Sequence, residues 1–541
     1  MFSQNTKIPY SRIPSFYPQD SVFLKYIEGF EELKGFYDLD YHDLNKLTES
    51  LNDYSLTQSD REGLYKAIAP YNLKFNSSQK VKANLEALLS DNCFTICTGQ
   101  QCGALTGPLY TIYKAMTAIL LADLLNQKGE AQFVPVFWAA SEDHDFAEVN
   151  HVDFLNPYGD VEHLSLEIDG HGRSIQDIDL GDGLSQLFSE LKTKWPKTDF
   201  SEQVFSLVQG GEEKLSNSFV HLMSSLFKDY GLIIVEPYVL RELSVPINQI
   251  ALEKDFDIHR EVQKSTDQLS QMGYTPALHW DKGINLFYYQ NQARVKLYKE
   301  DGENVFVTKN RDFSISVDEL KDQIVSSPEL FSHNVILRPI IQDTLFPNAI
   351  TVGGPGEIAY FSQLKGVYKL FQRRMPMIYP RISLTLFEKK FQKIQKGFDF
   401  TIEEIINRDL EAKSQAMTED FEKDQFVTDF ANTMKKELRH LTEEAEKKGK
   451  AIADSLKPSV RKIDFEIDKI KDKYLKKIEE TQGISKNQIE RLKNGITPRL
   501  KPQERVFNYF YFMNFHGPSL LSEIMKQVDI TDFSHQVLFY E

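Results

Sequence analysis

CFTICTGQQCGALTGPLYTIYKAMTAILLADLLNQKGEAQFVPVFWAA, residues 93 to 140, decides how the chain is read. CFTICT is a short apolar run of β-rich composition, and GQQCGALTG is a loop punctuated by Gly99, Gly103 and Gly107. Leu109, Ile112, Met116, Ile119, Leu120 and Leu124 then fall on one face at helical spacing, which predicts a helix over PLYTIYKAMTAILLADLLNQ. After a short Gly-containing turn, FVPVFWAA at 133 to 140 reads as a second buried strand. The segment is one βαβ unit.

Working outward, GLIIVEPY from Gly231, NVILRPI from Asn334 and PMIYP from Pro376 are further short apolar runs with helical stretches between them. That alternation predicts an α/β fold, an open parallel sheet of the Rossmann type. Residues 1–90 read as a mostly helical part of the core, and 91–385 as the Rossmann-like core itself. Polar stretches at about 155–230 and 270–330 read as inserted connecting segments, the second with a hairpin in INLFYYQNQARVKLY. Residues 386–500 are charge-rich helix, with Ile463, Ile467, Ile470, Tyr474 and Ile478 forming a coiled-coil seam and Pro458 near a hairpin bend. Residues 501–541 are strongly aromatic and are expected to return and pack on the core.

Composition narrows the functional classes. At about 150 residues per domain, 541 residues allow about three to four domains, and 41% hydrophobic with 26% charged residues is ordinary for a globular protein. A formal charge of −16 disfavours nucleic acid and anionic membrane as partners, so an anionic substrate must be caught by a few local cations. Cys93, Cys97 and Cys102 form no disulfide framework and no familiar zinc or redox spacing. Cys93 and Cys97 are expected inside the strand, and Cys102 at an exposed position in the loop. The amino-terminal residues have no apolar core of a secretion signal and no stretch is long enough to span a bilayer, so a cytoplasmic protein is expected.

Three segments carry candidate chemistry. In TGQQCGALTGPLYTIYK, residues 98 to 114, Gly99, Gln100, Gln101 and Gly107 form a strand-to-helix turn whose backbone N–H groups can cradle phosphate or carboxylate. The spacing matches neither G-x-G-x-x-G nor the Walker pattern, and a plain packing turn is equally open. Tyr110, Tyr113, Lys114 and Thr117 share the helix face opposite the apolar stripe, facing either a ligand or solvent. In SEDHDFAEVNH, residues 141 to 151, Glu142, Asp143, His144, Asp145, Glu148 and His151 follow a strand end, where a doubly wound sheet opens its ligand crevice. Acid/base work, hydroxyl recognition and metal binding are all chemically available, although the run is not HExxH; helix capping with solvated acids is the plainer reading. In RPIIQDTLFPNAITVGGPGEIAYFSQL, residues 338 to 364, Gly353, Gly354, Pro355 and Gly356 precede a helix starting near Glu357. Arg338 leads into this turn and Arg381 follows PMIYP. Either guanidinium can fork onto a carboxylate or phosphate, with an Arg338–Asp343 ion pair as the structural alternative.

Taken in order, TGQQCGALTGPLYTIYK, PVFWAASEDHDFAEVNHV, LRPIIQDTLFPNAITVGGPGEIAYFSQLKGVY and PMIYPRISLTL resemble the BshC family, the cysteine ligases of bacillithiol biosynthesis. The resemblance extends through the helical carboxyl-terminal part. It implies a Rossmann-like core with connecting insertions, a coiled coil used in homodimerisation, and ligation of L-cysteine to glucosaminyl malate. Amide formation needs the cysteine carboxylate activated as an acyl-adenylate or acyl-phosphate, so ATP is the expected co-substrate and a metal stays open. Class I synthetases of Rossmann type adenylate with H-x-G-H at the first helix; the corresponding pair here is Tyr110 and Tyr113. On this reading the Gln100–Gly107 loop, Tyr110 and Lys114 hold nucleotide or substrate anion. Asp143, His144 and Asp145 grip sugar hydroxyls or deprotonate the amine, and Arg338 or Arg381 pairs with the malate carboxylates. Gly99, Glu142, His151, Gly354, Gly356 and Glu357 complete the expected site. The alternatives are a nucleotide-binding dimeric scaffold and a metal-dependent hydrolase using the acid/His cluster.

Overall fold

Short, almost continuously apolar segments become the strands of one parallel sheet, because a strand covered on both faces has no polar side to present. In the computed structural model these are β1 (Cys93–Gln100), β2 (Gln132–Ala139), β3 (Ile233–Val235), β4 (Asn348–Gly353) and β5 (Met377–Pro380). The structure describes residues 2–170, 172–209, 213–279, 283–300, 303–410 and 426–540. Counted along the chain, the strands lie in the order 3-2-1-4-5, each neighbouring pair parallel. The order reverses between β1 and β4, and at such a switch point a crevice opens outside the carboxyl ends of the strands.

Of the apolar runs expected as strands, one folds otherwise. NVILRPI is not a strand: Leu337–Leu345 is a helix (α2), and β4 lies beyond it in NAITVG. Pro339 sits in the first helical turn, where a missing N–H removes no helical bond, and Asn334 Oδ1 accepts from the N–H groups of Ile336 and Leu337. A short helix (α3, Pro355–Phe361) leaves the end of β4.

Helices Gln58–Phe75 and Gln79–Ala87 cover one face of the sheet, where Leu64, Ile68, Val81 and Leu85 join Cys93, Cys97, Val134 and Val136 in a single core. The helix between β1 and β2 (α1, Leu109–Asn126) packs against both strands. Its face opposite the apolar stripe divides: Tyr110 and Lys114 line the crevice at the switch point, whereas Tyr113 and Thr117 are fully buried and Thr117 Oγ1 accepts from Ile382 N–H at 3.1 Å. Cys102 is also fully buried, not exposed, and burial pushes its thiol pKa up. Among the described residues, no helix is long and apolar enough to cross a membrane.

The insertion near 270–330 builds an antiparallel sheet in which Gly283–Gln290 and Ala293–Lys299 form a hairpin turning at Asn291 and Gln292, both at positive φ. Both chain ends meet in a further sheet, where His535–Tyr540 lies between Phe2–Ile8 and Ser383–Glu388. Residues 1–389 and 498–541 form one compact unit, and 390–497 another. In the second, helices Phe426–Lys448 (α4) and Lys450–Ile496 (α5) form a hairpin, with Lys435 reaching Asp468 across it at 2.6 Å. The bend is at Gly449, whose φ of +147° only glycine adopts freely; Pro458, expected there, lies inside α5. Within this unit Ile467 is buried, while Ile463, Ile470 and Tyr474 are 45%, 56% and 38% exposed. The side chain of Ile478, and residues 411–425, lie outside the described residues.

Candidate active site

The carboxyl ends of β1 and β4 open on a cavity of about 1160 Å³ at the switch point. Gly99, Gln100 and Gln101 reach it from β1, Tyr110 and Lys114 from α1, and Glu142, Asp143, His144 and His151 from the segment after β2. Arg338 of α2, the turn residues Gly354, Gly356 and Glu357, and Arg381 after β5 close its other side. Two expected members are elsewhere. Asp145 is exposed at the start of the short helix Phe146–Val149. Gly107, at a φ of +69°, is tied to the chain's tail: its carbonyl accepts from Asn508 Nδ2 at 2.8 Å, and Leu109 N–H donates to Phe507 O at 2.9 Å. The amino terminus of α1 is therefore spent on the protein itself.

Lys114 is a positioning residue. It is 3% exposed, and its ammonium donates to Gly99 O at 2.7 Å and Gln100 Oε1 at 3.0 Å and meets Glu357 Oε2 at 2.5 Å. All its N–H groups are spoken for, so it fixes the end of β1 against the β4 turn and leaves nothing for a ligand. Burial pulls its pKa down, with Glu357 opposing. Glu357 in turn accepts from Gly354 N–H at 2.8 Å.

Next to it lies a polar group built on Asp143. Its Oδ1 accepts from the backbone N–H of His144 at 2.7 Å and its Oδ2 from Gln101 Nε2 at 2.7 Å. Arg294 reaches in from the hairpin, 3.1 Å from His144 Nδ1, with its guanidinium 3.9 Å from the centre of the Phe287 ring. A guanidinium can only donate, so Nδ1 accepts and the neutral ring carries its proton on Nε2. Burial and then Arg294 hold the His144 pKa below the usual histidine value. Deeper in, Glu142 is paired with Arg241 at 3.2 Å, and burial pushes its carboxyl up against the pull of Arg241 and Arg294. His333 Nε2 meets Asn248 Oδ1 at 2.8 Å, and burial, then Arg294 and Arg241, pull that ring down to about 3.

Of the two expected anion-binding arginines, Arg338 donates to Tyr360 Oη at 2.8 Å and Gln342 Oε1 at 3.3 Å. Asp343 is hydrogen-bonded instead by Tyr368, Gln342 and Asn348, and burial raises it to about 6. Arg381 is held by Glu504 at 2.6 Å, both side chains being almost fully buried.

Against known proteins, a family model described as the N-terminal Rossmann-like domain of bacillithiol biosynthesis BshC matches residues 7–382. A model of the BshC C-terminal coiled-coil domain matches 384–540. The chain belongs to the BshC family of bacillithiol biosynthesis. It is 30% identical to the "Putative cysteine ligase BshC" of Salinibacter ruber over 96% of each chain. Identity is 29% to the protein of the same name from Bacillus cytotoxicus, over 92% of this chain and 97% of that one. For the Desulforamulus reducens protein it is 28%, over 98% and 99%.

Several cavity residues of this BshC-family chain escape sequence reading. Arg294 and Lys296 belong to an insertion, and their signal was a basic pair two apart on one strand face of an acidic chain. His333, and Arg241 that pairs with Glu142, gave no local signal, and of the two only His333 lines the cavity. Lys501 and Arg505 come from the tail, which read as packing only. Beside the cavity, His151, Asp153 and His163 are close enough to hold a metal ion. Arg499 meets both oxygens of Asp153 at 2.9 and 3.2 Å, so the protein supplies the countercharge itself.

Proposed function

We infer that this BshC-family protein is a cysteine ligase that joins the carboxyl group of L-cysteine to the amine of glucosaminyl malate, with ATP as co-substrate. The observation that carries this reading is the cavity at the switch point of a Rossmann-ordered sheet in a chain matched end to end by the family models. A cavity of about 1160 Å³ has room for a sugar malate together with a second substrate. The reaction forms an amide C–N bond. A carboxylate oxygen of cysteine must first take a phosphoryl or adenylyl group from ATP, releasing ADP or pyrophosphate, because free carboxylate offers no leaving group. The amine nitrogen then attacks the carbonyl carbon and loses a proton, and phosphate or AMP departs with that oxygen.

The chain's own residues divide the work by chemistry. Gly99, Gln100 and Gln101 present the end of β1 to the ligand, held in place by Lys114 and Asp143. His144 offers Nε2–H to a sugar hydroxyl or to the carbonyl oxygen under attack, while its Nδ1 stays with Arg294. This replaces the general-base role, since the available lone pair is already engaged. Arg338 and Arg381 supply positive charge near the β4 turn for carboxylates. The reading includes a homodimer through 386–500, supported by the exposed Ile463, Ile470 and Tyr474. Incubating the pure protein with cysteine, glucosaminyl malate and ATP tests the activity by mass spectrometry. The amide should appear, with AMP or ADP identifying the activated intermediate. Nucleotide binding without amide would leave a scaffold, and loss of substrate with no amide would indicate a hydrolase.

A further inference from the structure

We propose that Lys501 and Arg505, with Arg381 and Tyr110, form a subsite for a compact dianion, either the paired carboxylates of a malyl group or a phosphate of a nucleotide. The proposal rests on the reading of this cavity as the ligase site, and extends it to a segment that follows the helical unit in sequence.

The cations of the cavity wall are mostly engaged with the protein. Lys114 has spent its three N–H groups, Arg338 is bonded to Tyr360 and Gln342, and Arg294 to Ser332 Oγ at 2.9 Å and His333 O at 2.7 Å as well as His144. Lys501 and Arg505 also line the cavity, are exposed, and have no acidic partner among the described residues. The guanidinium carbons of Arg505 and Arg381 each lie 5.7 Å from the centre of the Tyr110 ring, so two positive groups flank one aromatic. Tyr110 Oη accepts from Gln100 Nε2 at 3.1 Å, which leaves its own proton for an acceptor. Arg381 is 5% exposed and directs NH1 and NH2 to Ile382 O and Glu504, but its Nε–H is without an acceptor among the described residues. That Nε lies beside Gly354, where an added Cβ would come within 3.3 Å of it.

The segment is fixed at both ends. Arg499 and Leu500 are at positive φ, a conformation that persists only where surroundings impose it. Arg499 is held by Asp153, while Glu504 takes Arg381 NH2 and Ser383 Oγ on Oε1 and Leu384 N–H on Oε2. Lys501 and Arg505 therefore project from a braced loop in a chain of net charge −16. Guanidinium and ammonium groups at such a point select compact, doubly charged oxyanions.

The test is calorimetric titration of the full-length protein with malate and, separately, with ADP, comparing wild type with the double variant Lys501→Gln, Arg505→Gln. Melting curves and the distant exposed Lys321→Gln serve as controls. The expected result is a loss of affinity of about tenfold or more at unchanged melting temperature. Loss confined to malate assigns the malyl carboxylates, loss confined to ADP assigns a phosphate, and Lys321→Gln changes neither. Unchanged affinity for both ligands, or a wild type that binds neither, overturns the proposal. Amide formation by wild type with an unaltered KM for glucosaminyl malate in a variant of unaltered affinity would sink the subsite and spare the ligase reading. Affinity lost in the variant of a protein that makes no amide would do the reverse.

Discussion

Arg294 and His144 illustrate how a single contact assigns a role. With the guanidinium donating to Nδ1, protonating the ring would bring two positive groups together, so burial and Arg294 both favour the neutral form. Removing the cation leaves Asp143, 3.7 Å from Nδ1, to favour the charged ring instead. Arg294→Gln should therefore raise the His144 pKa, seen by NMR titration of the ring. If the neutral ring is the active form, the acid limb of the rate profile moves to higher pH with it; a limb that moves to lower pH would contradict the assignment. Glycines separate in the same way. A Cβ on Gly99 would lie 2.8 Å from the Trp138 carbonyl oxygen on the neighbouring strand, whereas nothing lies within 4 Å of one on Gly356. Gly99→Val should lower the melting temperature by several degrees through strain between β1 and β2, and Gly356→Ala should leave it nearly unchanged while altering ligand affinity. Equal melting temperatures for the two would refute the distinction.

At the scale of elements, β1, α1 and β2 were legible because each hydrophobic run had a length and period matching its structure and a glycine turn between. NVILRPI misled because an apolar run interrupted by proline looks the same in a strand and in a first helical turn, and only Asn334 capping the helix decides. The helical character of α5 was legible by spacing, but the bend was not, since Gly449 sits in a lysine-rich stretch without other turn residues. Strand ends were readable as crevice positions because parallel strands deliver their carboxyl ends to one edge. Arg294 and Arg505 were not, being brought there by chain separated from β1 by about two hundred and four hundred residues. The Glu504–Arg381 pair joins the tail to the exit of β5, with side chains 1% and 3% exposed. Glu504→Gln strips a buried guanidinium of its countercharge and should cost about 3–5 kcal/mol in urea unfolding. A cost below about 1 kcal/mol, the range of exposed pairs, would mean that solvent reaches the pair.

For the whole molecule, the helical unit and the Rossmann unit make separate demands on the surroundings. Ile463, Ile470 and Tyr474 are exposed along α5, and in the proposed homodimer they would meet a second copy of this helix. Ile463→Lys with Ile470→Lys should convert a sedimenting dimer to monomer while leaving the cavity intact. A dimer that survives both changes would move the interface elsewhere. The Rossmann unit makes the central claim: glucosaminyl malate binds where the strand order reverses. Hydrogen exchange of the backbone, followed by mass spectrometry with and without glucosaminyl malate, tests this directly. Protection should concentrate in residues 99–101, 141–151 and 354–357, which surround the crevice. Protection confined to the helices of residues 426–496, with those three segments unchanged, would contradict it.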